Sequence, residues 1–357
     1  MRLNLNRPVE EIAAQLISIP SPTGKEYGVF NLVRASLTNL RVRGEAGMNL
    51  VYELNRGNPK TIGLVGHFDT VPVNHDSQYT ASFYNGQLFG RGAVDMKSGL
   101  ACMLKLADDI ARGRVNPKHN VQLVFYSGQE GPLPNGLTKL IEIERLGDLD
   151  FAFVLEPTLG KYVMGCMGSL TAKVSLIGKS AHSGMPKLGR NAVDGLPRLV
   201  RDAAAFRPLG IEIGGFKFSE VMSITGVKTE NAHNVIPEKV DLTVNYRFLP
   251  LMQLKTAKKR LERQFSGQSL PNGLKMKIEF EDESPSCYVP EKGAEEFLDP
   301  EVKRDIFLGW TDVAQLNQAG ITAINWGPGR FELAHTKNER ISVTHLRDFY
   351  FDLARLV

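Results

Sequence analysis

The sequence predicts an α/β protein: a mostly parallel sheet flanked by helices, with a smaller two-layer α+β domain inserted in its middle. Three observations point there. Apolar runs of strand length alternate with helix-length segments through the first half of the chain, the rhythm of a sheet covered on both faces. Those runs end, one after another, in His, Asp or Glu, and ligands of such sheets collect beyond the carboxyl ends of the strands. Between residues 167 and 281 the order becomes β-α-β-β-α-β, the split, ferredoxin-like arrangement. The expected division is therefore a first domain of residues 1–166 and 282–357 and an inserted lid or dimerisation domain of residues 167–281.

Residues 8–17 read as a helix, with Pro8 near its start and Ile12, Leu16 and Ile17 on its inner face. Ser18 to Gly24 breaks it, and a second helix is expected from about Glu26 to Leu40. Strands follow near 49–54 and 61–66, with Asn58-Pro59 as the turn between them. The second strand runs into His67 and Asp69, which share one side because alternate strand residues do. A glycine-rich turn carrying Asp95 leads into a helix at 99–112. Val121 to Tyr126 is a further strand and ends in Ser127-Gly128-Gln129-Glu130-Gly131. Asn135 to Arg145 is helical, and Phe151 to Leu155 is a buried strand ending at Glu156-Pro157.

In the middle of the chain residues 170–178 alternate like a strand with one exposed face, and a loop carries His182. A helix at 191–206, strands at about 219–228 and 239–248, a helix at 251–265 and a strand at 274–281 complete the inserted domain. The run Ala323 to Gly329 precedes His335 by a few residues.

The composition, 42% hydrophobic and 23% charged over 357 residues, is that of a soluble globular protein with ample core. A net charge of +4 without a basic stripe interleaved with aromatics argues against nucleic-acid binding. The most basic segment, Leu254 to Arg263, carries Leu254, Ala257 and Leu261 at helical spacing and reads as a solvated helix face. Three widely separated cysteines, Cys102, Cys166 and Cys287, make no disulfide framework and favour a reducing compartment. No signal-peptide pattern and no stretch approaching a membrane span is seen, so a cytoplasmic location without membrane association is expected.

Singly, each candidate has a dull explanation. Asp95 could cap the next helix, Glu156 could be a solvated loop residue, and His335 an ordinary surface histidine. Together, His67, Asp95, Glu130, Glu156 and His335 form a set of five at successive strand ends, the donor types that zinc or another borderline divalent ion prefers. Two ions sharing Asp95 would each gain one His and one further carboxylate, and such a pair can activate water and polarise a carbonyl oxygen. Asp69 is expected to buttress His67 from behind, fixing its tautomer.

The segments Gly66-His67-Phe68-Asp69-Thr70-Val71-Pro72 and Gly90-Arg91-Gly92-Ala93-Val94-Asp95-Met96-Lys97-Ser98-Gly99 resemble those of the co-catalytic zinc amidohydrolases. That family includes succinyl-diaminopimelate desuccinylase, acetylornithine deacetylase, aminoacylase and carboxypeptidase G. Phe125-Tyr126, Gly309-Trp310-Thr311-Asp312, Gly327-Pro328-Gly329 and Ala334 to Arg340 look closest to its actinobacterial desuccinylase branch. The resemblance implies two divalent ions, zinc with cobalt or manganese as alternatives. His67 and Glu156 would hold one, Glu130 and His335 the other, and Asp95 would bridge. It also implies that His182 steadies the oxyanion in a neighbouring subunit of a homodimer, and that Asn234, Arg247 and, more weakly, Thr311 hold a substrate carboxylate. The implied substrate is a small N-acyl amino acid, with N-succinyl-LL-2,6-diaminopimelate, a lysine and cell-wall precursor, leading. Acetylornithine, another N-acyl amino acid or a dipeptide follows, and a non-catalytic metal and ligand binder is the alternative from another class.

Two departures from that pattern matter. Where the family carries Glu-Glu, this chain has Gln129-Glu130, and a glutamine amide cannot take a proton at neutral pH. An engineered change, a natural slow or purely binding variant, and a shifted register with Glu130 as base are the open readings. The first two make the chain inactive or slow as written. The second departure is that Cys166 and Met167 stand where the proteobacterial desuccinylases place an arginine before Gly168-Ser169, leaving Arg190 or Arg330 as substitutes.

Overall fold

The protein is described here from a computed structural model covering residues 2–267 and 269–357. It divides into two compact units, Met1–Gly165 with Val289–Ile306 and Asp312–Val357, and Cys166–Tyr288 with Phe307–Thr311.

The first unit is built on a mixed sheet. Its strands run in the order Arg41–Glu45, Leu50–Leu54, Asn120–Tyr126, Thr61–His67, Phe151–Val154, Ala323–Asn325, Tyr162–Cys166. The four from Asn120–Tyr126 to Ala323–Asn325 are parallel, and antiparallel pairings flank them. Every residue of Asn120–Tyr126 and Phe151–Val154 is buried, as expected for strands covered on both faces. Ile62 lies opposite Val121 on one side and Phe151 on the other, so the apolar side chains stack across the sheet. Helices Val9–Ile17, Lys97–Ala111 and Val343–Leu356 pack on one another, and Ile12, Leu16 and Ile17 are fully buried. One glycine is required by proximity: a Cβ at Gly99 would stand 2.7 Å from the Leu155 carbonyl, so the helix N-terminus can abut the strand end that precedes Glu156. Among the described residues no helix is long and apolar enough to cross a membrane.

The second unit has an antiparallel sheet in the order Val221–Lys228, Lys239–Phe248, Gly168–Ile177, Lys275–Ser284. Leu170, Ala172, Val174 and Leu176 pair with Tyr246, Val244, Leu242 and Val240, so one face of two strands becomes continuous core. Leu199 of helix Leu196–Ala204 and Ala257, Leu261 and Phe265 of helix Leu254–Phe265 close that core.

Several element boundaries differ from the sequence expectation. The second helix covers only Tyr27–Ser36, because the chain leaves helical geometry at Leu37 and an edge strand begins at Arg41. The helix expected from Asn135 to Arg145 is Gly136–Glu142: Asn135 caps it through the N–H groups of Leu137 and Thr138, and Glu144 has positive φ. A short hairpin, Gly210–Ile213 with Phe216–Ser219, was not anticipated. It turns at Gly214-Gly215, both at positive φ, and the strand expected from about 219 begins at Val221.

Candidate metal centre

Four parallel strand ends meet at one edge of the first sheet. Thr61–His67 ends in His67, and Asn120–Tyr126 leads through Gly128, at φ +80°, into Gln129 and Glu130. Phe151–Val154 leads into Glu156, and Ala323–Asn325 into the segment that carries His335. Asp95 arrives from the Gly90–Met96 turn before helix Lys97–Ala111. The helix begins after Met96 without a side-chain cap, and Ser98 Oγ donates to the Ala93 carbonyl, so Asp95 is left for the cluster.

Two triads result, His67–Asp95–Glu156 and Asp95–Glu130–His335, each with its ligand atoms within 4.8 Å of one another. His67 Nε2 lies 3.1 Å from Asp95 Oδ1 and 3.6 Å from Glu156 Oε1. His335 Nε2 lies 2.9 Å from Glu130 Oε1 and 3.2 Å from Asp95 Oδ2. Asp95 thus gives one oxygen to each side. His67 Nδ1 is 3.0 Å from the Asp69 main-chain carbonyl, which can only accept, so the neutral ring keeps its Nε2 lone pair toward the carboxylates.

Two buried carboxylates, Asp95 and Glu156, converge with the partly buried Glu130, a costly arrangement unless a cation is supplied. Burial, reinforced by the charge of Asp95, pushes the Glu156 carboxyl well above its usual range, and burial likewise raises Glu130. Asp95 goes the other way: burial is outweighed by its bonds to His335 and His67. Burial also opposes the charge on His67, yet its bonds to Asp69 and Asp95 hold its pKa well above normal. The bonds of His335 to Asp95 and Glu130 lift it to about 10. Glu156 Oε1 is buried with no hydrogen-bond partner, an orphan acceptor inside a set of nitrogen and oxygen donors. The residues fit a pair of divalent ions.

Asp69 lies against the Nδ1 side of His67 and has a second task as well. Its carboxylate oxygen is 3.4 Å from His67 Nδ1, farther than its own main-chain carbonyl. The carboxylate accepts the N–H groups of Gln129 at 3.0 Å and Glu130 at 2.9 Å, and the Thr23 hydroxyl at 2.9 Å. It therefore fixes the turn that presents Gln129 and Glu130 while its main chain orients His67.

Supports that the sequence reading passed over lie behind this centre. Glu339 accepts the N–H groups of Val94 at 3.0 Å and Asp95 at 3.1 Å and pairs with Arg91, holding the turn that carries Asp95. Asp312 is fully buried, accepting from Tyr126 OH at 2.7 Å, Asn135 Nδ2 at 2.8 Å and Gln315 Nε2. Burial raises its carboxyl, and the donors Asn135, Tyr126 and the Gln129 amide hold the rise down. The Ala-His-Thr-Lys-Asn-Glu-Arg stretch held a signal for Glu339, a carboxylate four residues beyond His335. Asp312 stood in the Gly309-Trp310-Thr311-Asp312 segment, which gave no sign of its role.

The remaining expected residues lie in the second unit. His182 is exposed, its Nδ1 accepting the Gly184 N–H at 3.1 Å. Exposed Asn234 accepts the Ser183 N–H on its carbonyl at 2.8 Å, so the two loops are neighbours. Arg247 is half-buried on Lys239–Phe248 and donates to Asn245 Oδ1 at 3.1 Å. Thr311 is buried.

A mixed α/β sheet with two His and carboxylate triads that share Asp95 at its strand ends offers a donor set for divalent ions, and comparison with known proteins gives the family. Residues 63–353 match the profile of Peptidase family M20/M25/M40, and the chain belongs to that family. It is 34% identical over 356 residues, 96% of each chain, to a Mycobacterium tuberculosis protein named putative succinyl-diaminopimelate desuccinylase DapE. It is 30% identical over 350 residues, 94% of this chain and 92% of the other, to a Corynebacterium glutamicum succinyl-diaminopimelate desuccinylase. In fold it is similar to a Staphylococcus aureus tripeptidase, with a TM-score of 0.78 at 23% identity covering 99% of this chain and 98% of that one.

Proposed function

We propose that the chain has the architecture of an amide hydrolase for N-acyl amino acids, with N-succinyl-LL-2,6-diaminopimelate as substrate and succinate and diaminopimelate as products. The observation that carries this reading is the pair of triads sharing Asp95, on a chain that aligns over 96% of its length with a desuccinylase-named relative. His67 and Glu156 would hold one divalent ion, zinc for preference, and Glu130 and His335 the other, with Asp95 between them. Bound there, the ions would activate water and polarise the scissile carbonyl. His182 would donate to the developing oxyanion in a neighbouring subunit, a contribution on the order of 3 kcal/mol; its exposure on a loop supports that role. Arg247, with Asn234 and Thr311, would hold the substrate carboxylate, since a guanidinium fork matches two carboxylate oxygens.

Gln129 stands where this chemistry needs a general base. Its N–H is fixed by Asp69 and its amide lies beside the Asp312 carboxyl, which supports a defined place for this side chain, but an amide cannot accept a proton. Loss of such a base costs about 10²–10⁴-fold in rate. As written the chain should therefore turn over slowly or not at all.

Assaying the native chain and Gln129→Glu with zinc against a panel of acyl amino acids tests both parts. The expected result is a kcat at least about 100-fold higher for Gln129→Glu, with the succinyl compound preferred. Equal activity in the two forms would remove position 129 from the mechanism. No preference for succinyl would refute the substrate. Tight ligand binding without turnover in either form would favour a binding protein. A cytoplasmic homodimer completes the proposal, formed through the second unit, whose outer strand Val221–Lys228 leaves Val221 and Val227 exposed.

A further inference from the structure

Two of the three cysteines, far apart in sequence, meet in the second unit. Cys166 Sγ and Cys287 Sγ lie 3.8 Å apart across a sequence separation of 121, at the two points where the chain enters and leaves that unit's main segment. Nearby, the Val289 N–H donates to the Met164 carbonyl at 2.8 Å, so the incoming and outgoing segments run side by side. The Arg247 guanidinium is close enough to Cys166 to be influenced by its charge.

We propose that Cys166 and Cys287 are a redox pair, which hydrogen peroxide converts into a reversible intramolecular disulfide. The bond from Cys287 holds the Cys166 thiol below its ordinary pKa despite burial, whereas Cys287 is pushed well above it. One sulfur of the pair, as the thiolate, is the nucleophile. It attacks the peroxide: an S–O bond forms, the O–O bond breaks, and the departing hydroxide takes a proton to give water. The other sulfur then attacks the oxidised one: the S–S bond forms, the S–O bond breaks, and the second thiol's proton leaves with the hydroxide as a second water. Two thiols and one peroxide become one disulfide and two waters. Cys287 keeps 6% of its surface exposed, so a small oxidant has only a thin layer to cross. Cys102 is an internal control, fully buried in helix Lys97–Ala111 with burial alone raising its thiol.

The test uses the full chain treated with hydrogen peroxide, quenched by alkylation and denatured. Free thiols should fall from three to one and return to three with dithiothreitol. Peptide mapping without reductant should show the Cys166 and Cys287 peptides joined and Cys102 alkylated. Cys166→Ser and Cys287→Ser should each abolish the joined peptide. Three thiols surviving peroxide that oxidises a free-cysteine standard would overturn the proposal. So would thiol loss that dithiothreitol does not reverse, or cross-links that include Cys102.

Discussion

Asp95 is the residue on which the centre turns, because its two oxygens face different histidines at 3.1 and 3.2 Å. Asp95→Asn keeps the shape and removes the charge, so both ions should bind weakly, by at least tenfold in titration calorimetry. Unchanged affinity would show that Asp95 is not shared. The ion-free centre has a pH signature. The pKa of His335 is raised from 6.5 to about 10, so its bonds to Asp95 and Glu130 stabilise the ion-free fold fully below pH 6.5. That contribution is lost as pH climbs through about 10. Chelator-stripped protein should lose thermal stability over that window, and His335→Gln should flatten that part of the profile. At this scale the sequence was informative where a polar residue ends an apolar run, which is how His67, Glu130 and Glu156 were found. It was silent on Asp69's second task and on Arg91 with Glu339, whose partnership spans 248 positions and has no local signature.

At the scale of elements, parallel strands deliver the ligands and turns aim them. The turn at Gln129 and Glu130 hangs from Asp69, and helix Gly136–Glu142 is tied to Asp312 through its cap Asn135. Asp312→Ala would leave Tyr126, Asn135 and Gln315 without their buried acceptor, and should cost about 3 kcal/mol in urea unfolding. A loss below about 0.5 kcal/mol would mean that the network rearranges freely. The buried strands and long helices were readable from apolar periodicity. The edge strand Arg41–Glu45 and the hairpin at Gly210–Ser219 were not: the first is mostly exposed with no alternating apolar signal, and the second, though Ile211, Ile213, Phe216 and Phe218 alternate about Gly214-Gly215, has strands of only four residues that are largely exposed. Helix ends were misjudged where capping and turn geometry, at Leu37 and Asn135, decide against propensity.

For the whole molecule, the order β-α-β-β-α-β was legible because each piece of the second unit is long and patterned, although the meeting of Cys166 with Cys287 was not. Contacts between distant segments need the fold. The proposed homodimer predicts that sedimentation equilibrium will give twice the 39.5 kDa chain mass at micromolar concentration, whereas a single 39.5 kDa species would contradict it. The central claim is that five side chains hold a pair of divalent ions. Its most direct measurement is metal content after zinc loading and removal of excess, in native protein and in Glu156→Gln and His335→Gln. Two ions per chain, falling to about one in either variant, is the predicted result. A native chain that retains none, or variants that retain as many as the native chain, would contradict it.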